Sequence, residues 1–427
     1  MHITAGREYE GRAIRFALLV TLIGVGGGVI QIRAQEAGGV GTPAASQRGG
    51  AARCTQLPPV VSDRIGRAQI FDSLIKDKSV LRDHRDFVWG AEGDEPPGPY
   101  LTKYMTTDRD LDRKRDVAWY QANHPDWVIL KCDQESPAHE FKYGFGYYTP
   151  LDVSNPDVRR YMFDTFVKPN AASGHFAAMA VDNLESTNSW GRCGVKKDGA
   201  WVGKYSGAKV DPAYATAVAD WLGWLHAEAN GAGLCVAGNN YYSGRDIAGF
   251  RKTVEPLDIE VDEHGFTRNC KPMDRDQAWV DRITTFRDVA RTKPVVIIDQ
   301  VCPKLEQANR QVLDWSLASY LLFKGDRSYI AITSSTEYGG YYDLPELYLP
   351  VGRPLGDFEN DSKLYWRRFE HAMAIVNPYS KAAATFDLGR KPFADTRWQD
   401  LDGAARTGTI TLNPTSAIIL MPAAERK

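Results

Sequence analysis

Residues 175–185 read HFAAMAVDNLE, a short apolar run that ends abruptly in Asp182, Asn183 and, two residues on, Glu185. Phe176 to Val181, bounded by turn residues, has the character of a strand buried on both faces. In a parallel α/β sheet or barrel, the C-terminal end of such a strand opens onto the active-site face, so a carboxylate there is a candidate for chemistry. A helix N-cap or a loop acid satisfied by backbone N–H groups would look the same locally. This stretch alone leaves both readings open.

Working outward, short apolar runs alternate with helix-like stretches from about residue 65 to 335, the signature of βα repeats around a parallel sheet. Strands are predicted at 68–71, 87–90, 100–105, 176–181, 234–237, 257–261, 295–298 and 329–332. Eight strands predict a closed (β/α)8 TIM barrel. A further apolar run at 127–131 is an excursion between the third and fourth strands, or else it displaces the first. Asp211-Pro212 and Asn155-Pro156 each open a helix, the residue before the proline supplying the cap, and 307–323 is another amphipathic candidate. After about residue 364, short β-like runs separated by Pro, Gly and Asn predict a small antiparallel β domain, 364–427, behind a barrel spanning 61–363.

The N-terminus carries Arg7, Arg12 and Arg15 ahead of an apolar run from Phe16 to Ile30, the order of a secretory signal peptide covering 1–34. Four glycines in that short run argue against a retained membrane span. Residues 35–60, rich in Gly, Ala, Ser and Pro, read as a disordered linker. The expectation is an exported protein, secreted or periplasmic, with no membrane attachment after cleavage. An oxidising compartment would let cysteines pair; Cys132 with Cys193 and Cys270 with Cys302 are the pairings we expect, while Cys235, inside an apolar strand, reads as an inert core thiol. Zinc bound by four cysteines is disfavoured because no CxxC spacing occurs.

With 52 Lys and Arg against 54 Asp and Glu, the net charge is -2, which speaks against a nucleic-acid partner. The 11 Trp, 20 Tyr and 16 Phe, many in loop-like segments, suit stacking on sugar rings. At the strand ends a consistent set of groups collects: Asp182, Asn183 and Glu185; Asn239, Asn240 and Tyr241; Asp262, Glu263 and His264; Asp299 and Gln300; Glu337. Tyr104 from the third strand, Lys131 and Asp133 from the excursion, and Trp190 from the loop after Asp182 join them. Carboxylates among amides and aromatics suit a polyhydroxylated ligand. Two carboxylates across such a pocket fit glycoside hydrolysis, one serving as nucleophile or base and the other as acid. Asp182 and Glu263 are the expected pair. The remaining members, Tyr104, Lys131, Asp133, Asn183, Trp190, Asn239, Asn240, Tyr241, Asp299 and Glu337, are expected to bind substrate. Neither a metal nor an organic cofactor is expected, since no HExxH, HxxEH or EF-hand spacing occurs. Of Glu260 and Asp262, structural rather than catalytic roles are expected: one points away from the barrel axis if Glu263 points in, and forms a salt bridge.

Several segments in order, HPDWVILK, YTPLDVSNPDVRRYM, a strand ending in VDN, a strand ending in GNN, IEVDEHGF and YWRRFEHAMAIVNP, together resemble hypothetical glycosyl hydrolase family fifteen. The wider relatives of that family include the endo-alpha-1,4-polygalactosaminidase type and, more distantly, the alpha-galactosidase and alpha-amylase superfamilies. The resemblance implies a barrel hydrolase with Asp182 as nucleophile, Glu263 as proton donor and Asn239 on substrate hydroxyls. It departs from the pattern before the nucleophile, where His175, Phe176, Ala177 and Ala178 replace a Gly-Phe-Asp-Gly-like approach. The expected activity is hydrolysis of an alpha-linked or furanosidic poly- or oligosaccharide. The rival expectations are a non-catalytic glycan-binding barrel and a metal-dependent hydrolase.

Overall fold

The computed structural model describes Cys54 and residues 56–110, 112–143, 146–361 and 363–423. The stretch read as a signal peptide lies outside the described residues, as does most of the linker. Eight parallel strands close into a barrel: β1 Gly66–Ile70, β2 Phe87–Trp89, β3 Tyr100–Thr106, β4 Ala178–Leu184, β5 Cys235–Asn240, β6 Ile259–Asp262, β7 Val295–Cys302 and β8 Ser328–Ser334. Every predicted strand falls on one of these. The run at 127–131 is an excursion: Leu130–Lys131 pairs outside the barrel with Arg192–Lys197.

The helices on the outer face are α1 Ser79–His84, α2 Val117–Asn123, α3 Pro156–Met162, α4 Pro212–Gly231, α5 Ile247–Val254, α6 Asp276–Ala290 and α7 Arg310–Phe323. Asp211 caps α4 by accepting from Ala213 and Tyr214, and Asn155 caps α3 by accepting from Asp157. Between β2 and β3 the chain crosses without a helix. After β8 an antiparallel six-stranded sheet, 359–422, packs Ala374, Val376 and Ile419 into the same core as Trp315 and Leu317 of α7.

Alternation fixes what faces inward, because neighbouring side chains on a strand point to opposite faces. Ala178 and Ala180, Cys235 and Ala237, Ile259 and Val261, Val296 and Ile298, and Tyr329 and Ala331 fill the barrel with Phe87, Trp89 and Tyr100. The small residues of β4 lie among large rings from β2 and β3, so the alanines of HFAAMAV make room for aromatic filling. Met179 and Val181 pack outward in a cluster with Val158 of α3 and Trp221 of α4.

The base of the barrel is tied to the N-terminal segment. Cys54 is disulfide-bonded to Cys235, with Cα atoms 5.0 Å apart, which corrects the reading of Cys235 as an inert thiol. Arg327 Nε donates to the Pro58 carbonyl at 2.9 Å, Lys324 Nζ to that of Val61 at 2.8 Å, and the Tyr329 hydroxyl to that of Pro59. The last residues of the expected linker are therefore fastened. Cys132 pairs with Cys193 and Cys270 with Cys302, as expected.

Candidate active site

Continuing the inward parity by one step brings Tyr104, Asp182, Asn239, Glu263 and Gln300 to the C-terminal mouth. Their side chains meet. Asn239 Nδ2 donates both to Asp182 Oδ1 at 2.7 Å and to Glu263 Oε2 at 2.6 Å, so one amide nitrogen bridges the two carboxyl groups. Asp182 Oδ2 also accepts from the Tyr104 hydroxyl and from Asn183 Nδ2, each at 2.8 Å. Asn183 adopts φ 61, left-handed, beside a register shift between β4 and β5, a bulge that turns the strand just after the carboxylate. Asn239 Oδ1 in turn accepts from the Glu263 backbone N–H at 3.2 Å.

Glu263 is the perturbed member of the pair. Burial and then the adjacent charge of Asp182 push its carboxyl up to about 8, while Tyr338 and Asn239 pull the other way. A glutamic acid so placed keeps its proton at neutral pH. Gln300 Nε2 stands 3.4 Å from Glu263 Oε1. The buried hydroxyl of Tyr338 lies beside Glu263, and burial raises both Tyr338 and Tyr104 well above the usual phenol range, so both remain donors. Phe71, itself at φ 45, sets its ring edge-on to Tyr104 and Tyr338 with centroids 5.5 and 5.6 Å away.

Other expected residues lie elsewhere, and parity explains the buried ones. Asn240 is fully buried and faces α5, donating to Thr253 Oγ1 at 2.7 Å. Asp299 is likewise fully buried and outward, accepting from Thr267 N–H at 3.1 Å, Thr267 Oγ1 at 2.6 Å and Ser316 Oγ at 2.5 Å. Neither can touch a ligand in the mouth. Gln300, one position on, takes the place expected of Asp299. Asp262 pairs with Arg282 of α6, the salt bridge expected of one of the two acids, and Glu260 is buried and outward as well, so both point away from the axis where one was expected to. Asp133 is exposed and accepts from the Glu135 and Ser136 N–H groups, which holds a turn of the excursion; Lys131 is exposed on the same excursion. The structure does not bring either to the carboxyl pair. Glu337 is at the rim, accepting from the Tyr342 hydroxyl at 3.0 Å. Tyr241, 43% exposed, meets His264 edge-on with centroids 4.7 Å apart. Trp190 stacks on His139 at 3.6 Å, and burial and Arg109 push that imidazole down to about 4. Glu185 is half-buried and feels the charges of Arg192 and Asp108 rather than those of the pair.

Gln300 and Tyr338 complete the site beyond the expected binding set. Strict period-two counting along β7 finds Gln300, whereas Tyr338 arrives on a loop whose path leaves no periodic trace.

Among the described residues, the groups of ligating side chains close enough to share an ion include neither Asp182 nor Glu263. One is Asp72, Asp94 and Glu95, into which Lys78 already places its ammonium. The other contains Cys54 and Cys235, whose sulfurs are bonded to each other. No helix among the described residues is long and apolar enough to cross a membrane.

A closed parallel barrel with paired carboxyl groups at its C-terminal mouth has the architecture of a barrel glycoside hydrolase. The chain belongs to hypothetical glycosyl hydrolase family 15, which it matches over residues 101–373. Curated proteins contain no match. Among solved structures, it is similar to an Anoxybacillus alpha-amylase, at 14% identity over 77% of each chain with a TM-score of 0.41. It is also similar to a GH31-family sulfoquinovosidase from E. rectale, at 12% identity over 86% of this chain, with a TM-score of 0.44; the chain spans 64% of that enzyme.

Proposed function

We propose that this protein is an exported, retaining glycoside hydrolase in which Asp182 is the nucleophile and Glu263 the acid and then the base. In the first step an Asp182 oxygen bonds to the anomeric carbon, the glycosidic C–O bond breaks, and the Glu263 proton passes to the departing oxygen. In the second, Glu263 as carboxylate takes a proton from water, the hydroxide adds to the anomeric carbon, and the bond to Asp182 breaks. The observation that carries this reading is the shared Asn239 nitrogen. Two oxygens bonded to one nitrogen are close neighbours, which favours the narrow retaining separation of about 5–5.5 Å between carboxyl groups over the wider inverting one of roughly 6.5–9.5 Å. Asn239 would exchange these bonds for a substrate hydroxyl. Tyr241, exposed two residues after Asn239, offers a face for a sugar ring on an alpha-linked or furanosidic glycan. Three disulfides suit an oxidising destination, in keeping with the signal-peptide reading of residues 1–34.

The test is a screen of the purified protein against defined poly- and oligosaccharides, with the anomer of the first-formed product read by NMR. Retention, abolished in Asp182→Asn, is expected. An inverted product overturns the retaining mechanism. An inactive wild type that still binds glycan favours the non-catalytic alternative.

A further inference from the structure

On the face opposite the mouth, a cavity of about 480 Å³ opens between the base of β7 and β8, the ends of α6 and α7, and the segment leading into the C-terminal sheet. Its walls carry six cations, Arg287, Arg291, Lys293, Lys324, Arg327 and Arg367, against two acids, Asp326 and Asp357. Part of that charge is engaged within the fold. Lys293 donates to the Val254, Glu255 and Leu257 carbonyls at 2.7–3.0 Å, and Arg367 Nη1 to those of Leu321, Leu322 and Lys324 at 2.7–3.2 Å, each satisfying the end of a helix. Arg291 pairs with Asp357, and Arg287 with Asp288 outside the cavity lining.

What remains is a surplus. Carbonyl dipoles orient a cation without cancelling its charge, and Lys293, Lys324, Arg327 and Arg367 are held chiefly by carbonyls. Arg327 bonds only through Nε, to Pro58; its two terminal nitrogens make no hydrogen bond among the described residues, nor does Arg367 Nη2 or Arg287 Nη1. The cations also feel one another: burial and then Arg367 push Lys324 down to about 8 against Asp326, and burial takes Arg367 down to about 10, with Asp357 opposing and Arg291 adding to it. A concave site with solvent-facing guanidinium nitrogens not bonded within the fold, and more cations than acids in its walls, matches a tetrahedral oxyanion.

We propose that this basal cavity is a second ligand site, separate from the carboxyl pair, for a phosphate or sulfate group. The volume exceeds what a bare ion fills and leaves room for a sugar-sized body attached to it. The group would sit between Arg327 and Arg367, both of which line the cavity, and a body extending from it would rest against Leu57, which lines it too.

Isothermal titration of the full chain tests this with sodium phosphate, sodium sulfate and glucose 6-phosphate. Glucose and sodium chloride at matched ionic strength serve as controls. Saturable binding of an oxyanion is expected, weakened at least about tenfold in both Arg327→Gln and Arg287→Gln. It should be unchanged in Asp182→Asn, which separates this site from the mouth and makes the result independent of hydrolysis. Tighter binding of glucose 6-phosphate than of phosphate identifies an ester ligand, and equal binding a free ion; either supports the site. Absence of saturable binding, equal effects of chloride, or full affinity in both arginine variants overturns it. Circular dichroism of each variant verifies that lost binding is not lost folding.

Discussion

Replacing Glu263 by Gln separates what the residue does for chemistry from what it costs the fold. The amide keeps the shape and the bond with Asn239 but supplies no proton, so turnover of substrates with poor leaving groups should fall about 10²–10⁴-fold. In the wild type, kcat/KM should fall as pH rises through about 8, where the acid loses its proton, and this limb should vanish in the variant. Stability also falls with rising pH, over a window that begins lower. Because the folded-state value lies above the ordinary 4.5, the native protein holds this proton more tightly than the unfolded chain does. The resulting stabilisation is complete below about 4.5 and is lost as pH climbs to about 8. Thermal melts should show Glu263→Gln gaining on the wild type across that window, as expected of a site that sacrifices stability for function. A difference in Tm that stays constant with pH would contradict the buried-acid assignment. Asp182 and Glu263 could be read from the sequence as acids just beyond apolar strands. Asp299 was misread because it ends the same kind of run one position out of phase.

At the scale of elements, that phase error has an energetic counterpart. Asp299 reaches from β7 to Thr267, after β6, and to Ser316 in the middle of α7, fastening the loop that follows Glu263 to the outer helix layer. The Cys270–Cys302 bond closes the same loop from its far end. Asp299→Ala would leave two hydroxyls and an N–H without an acceptor in a dry environment, a loss of about 3 kcal/mol in urea unfolding, whereas Asp299→Asn should retain most of the stability. Equal losses in the two variants would mean that charge, not hydrogen bonding, holds the joint. Strands and capped helices were legible because period-two and period-3.6 patterns and Asx-Pro openings are local. The helix-free crossover from β2 to β3, and the sheet that takes the eighth helix's position against α7, were not, since both depend on what the rest of the chain has already covered.

At the scale of the whole molecule, the barrel has two differently built ends: a mouth assembled from single inward residues of five strands and loops, and a base fastened to a segment that arrives from outside the barrel. Cys54 sits in a stretch whose composition reads as linker, and Cys235 in one that reads as core. Only closure of the barrel brings the start of β5 to where residue 54 passes. The bond joins residues 181 apart, so in the unfolded chain it closes a long loop, the situation in which a cross-link removes the most disorder. The paired substitution Cys54→Ser, Cys235→Ala should therefore lower stability by about 2–5 kcal/mol. Because the inward residue at 235 is two layers below Asn239, the same variant should leave kcat and KM unchanged at temperatures where it remains folded. Loss of activity in parallel with full stability would show that the base and mouth are coupled through the barrel interior. An unchanged urea midpoint would show that the hydrogen bonds from Arg327, Lys324 and Tyr329 to residues 58–61 hold the segment without the disulfide.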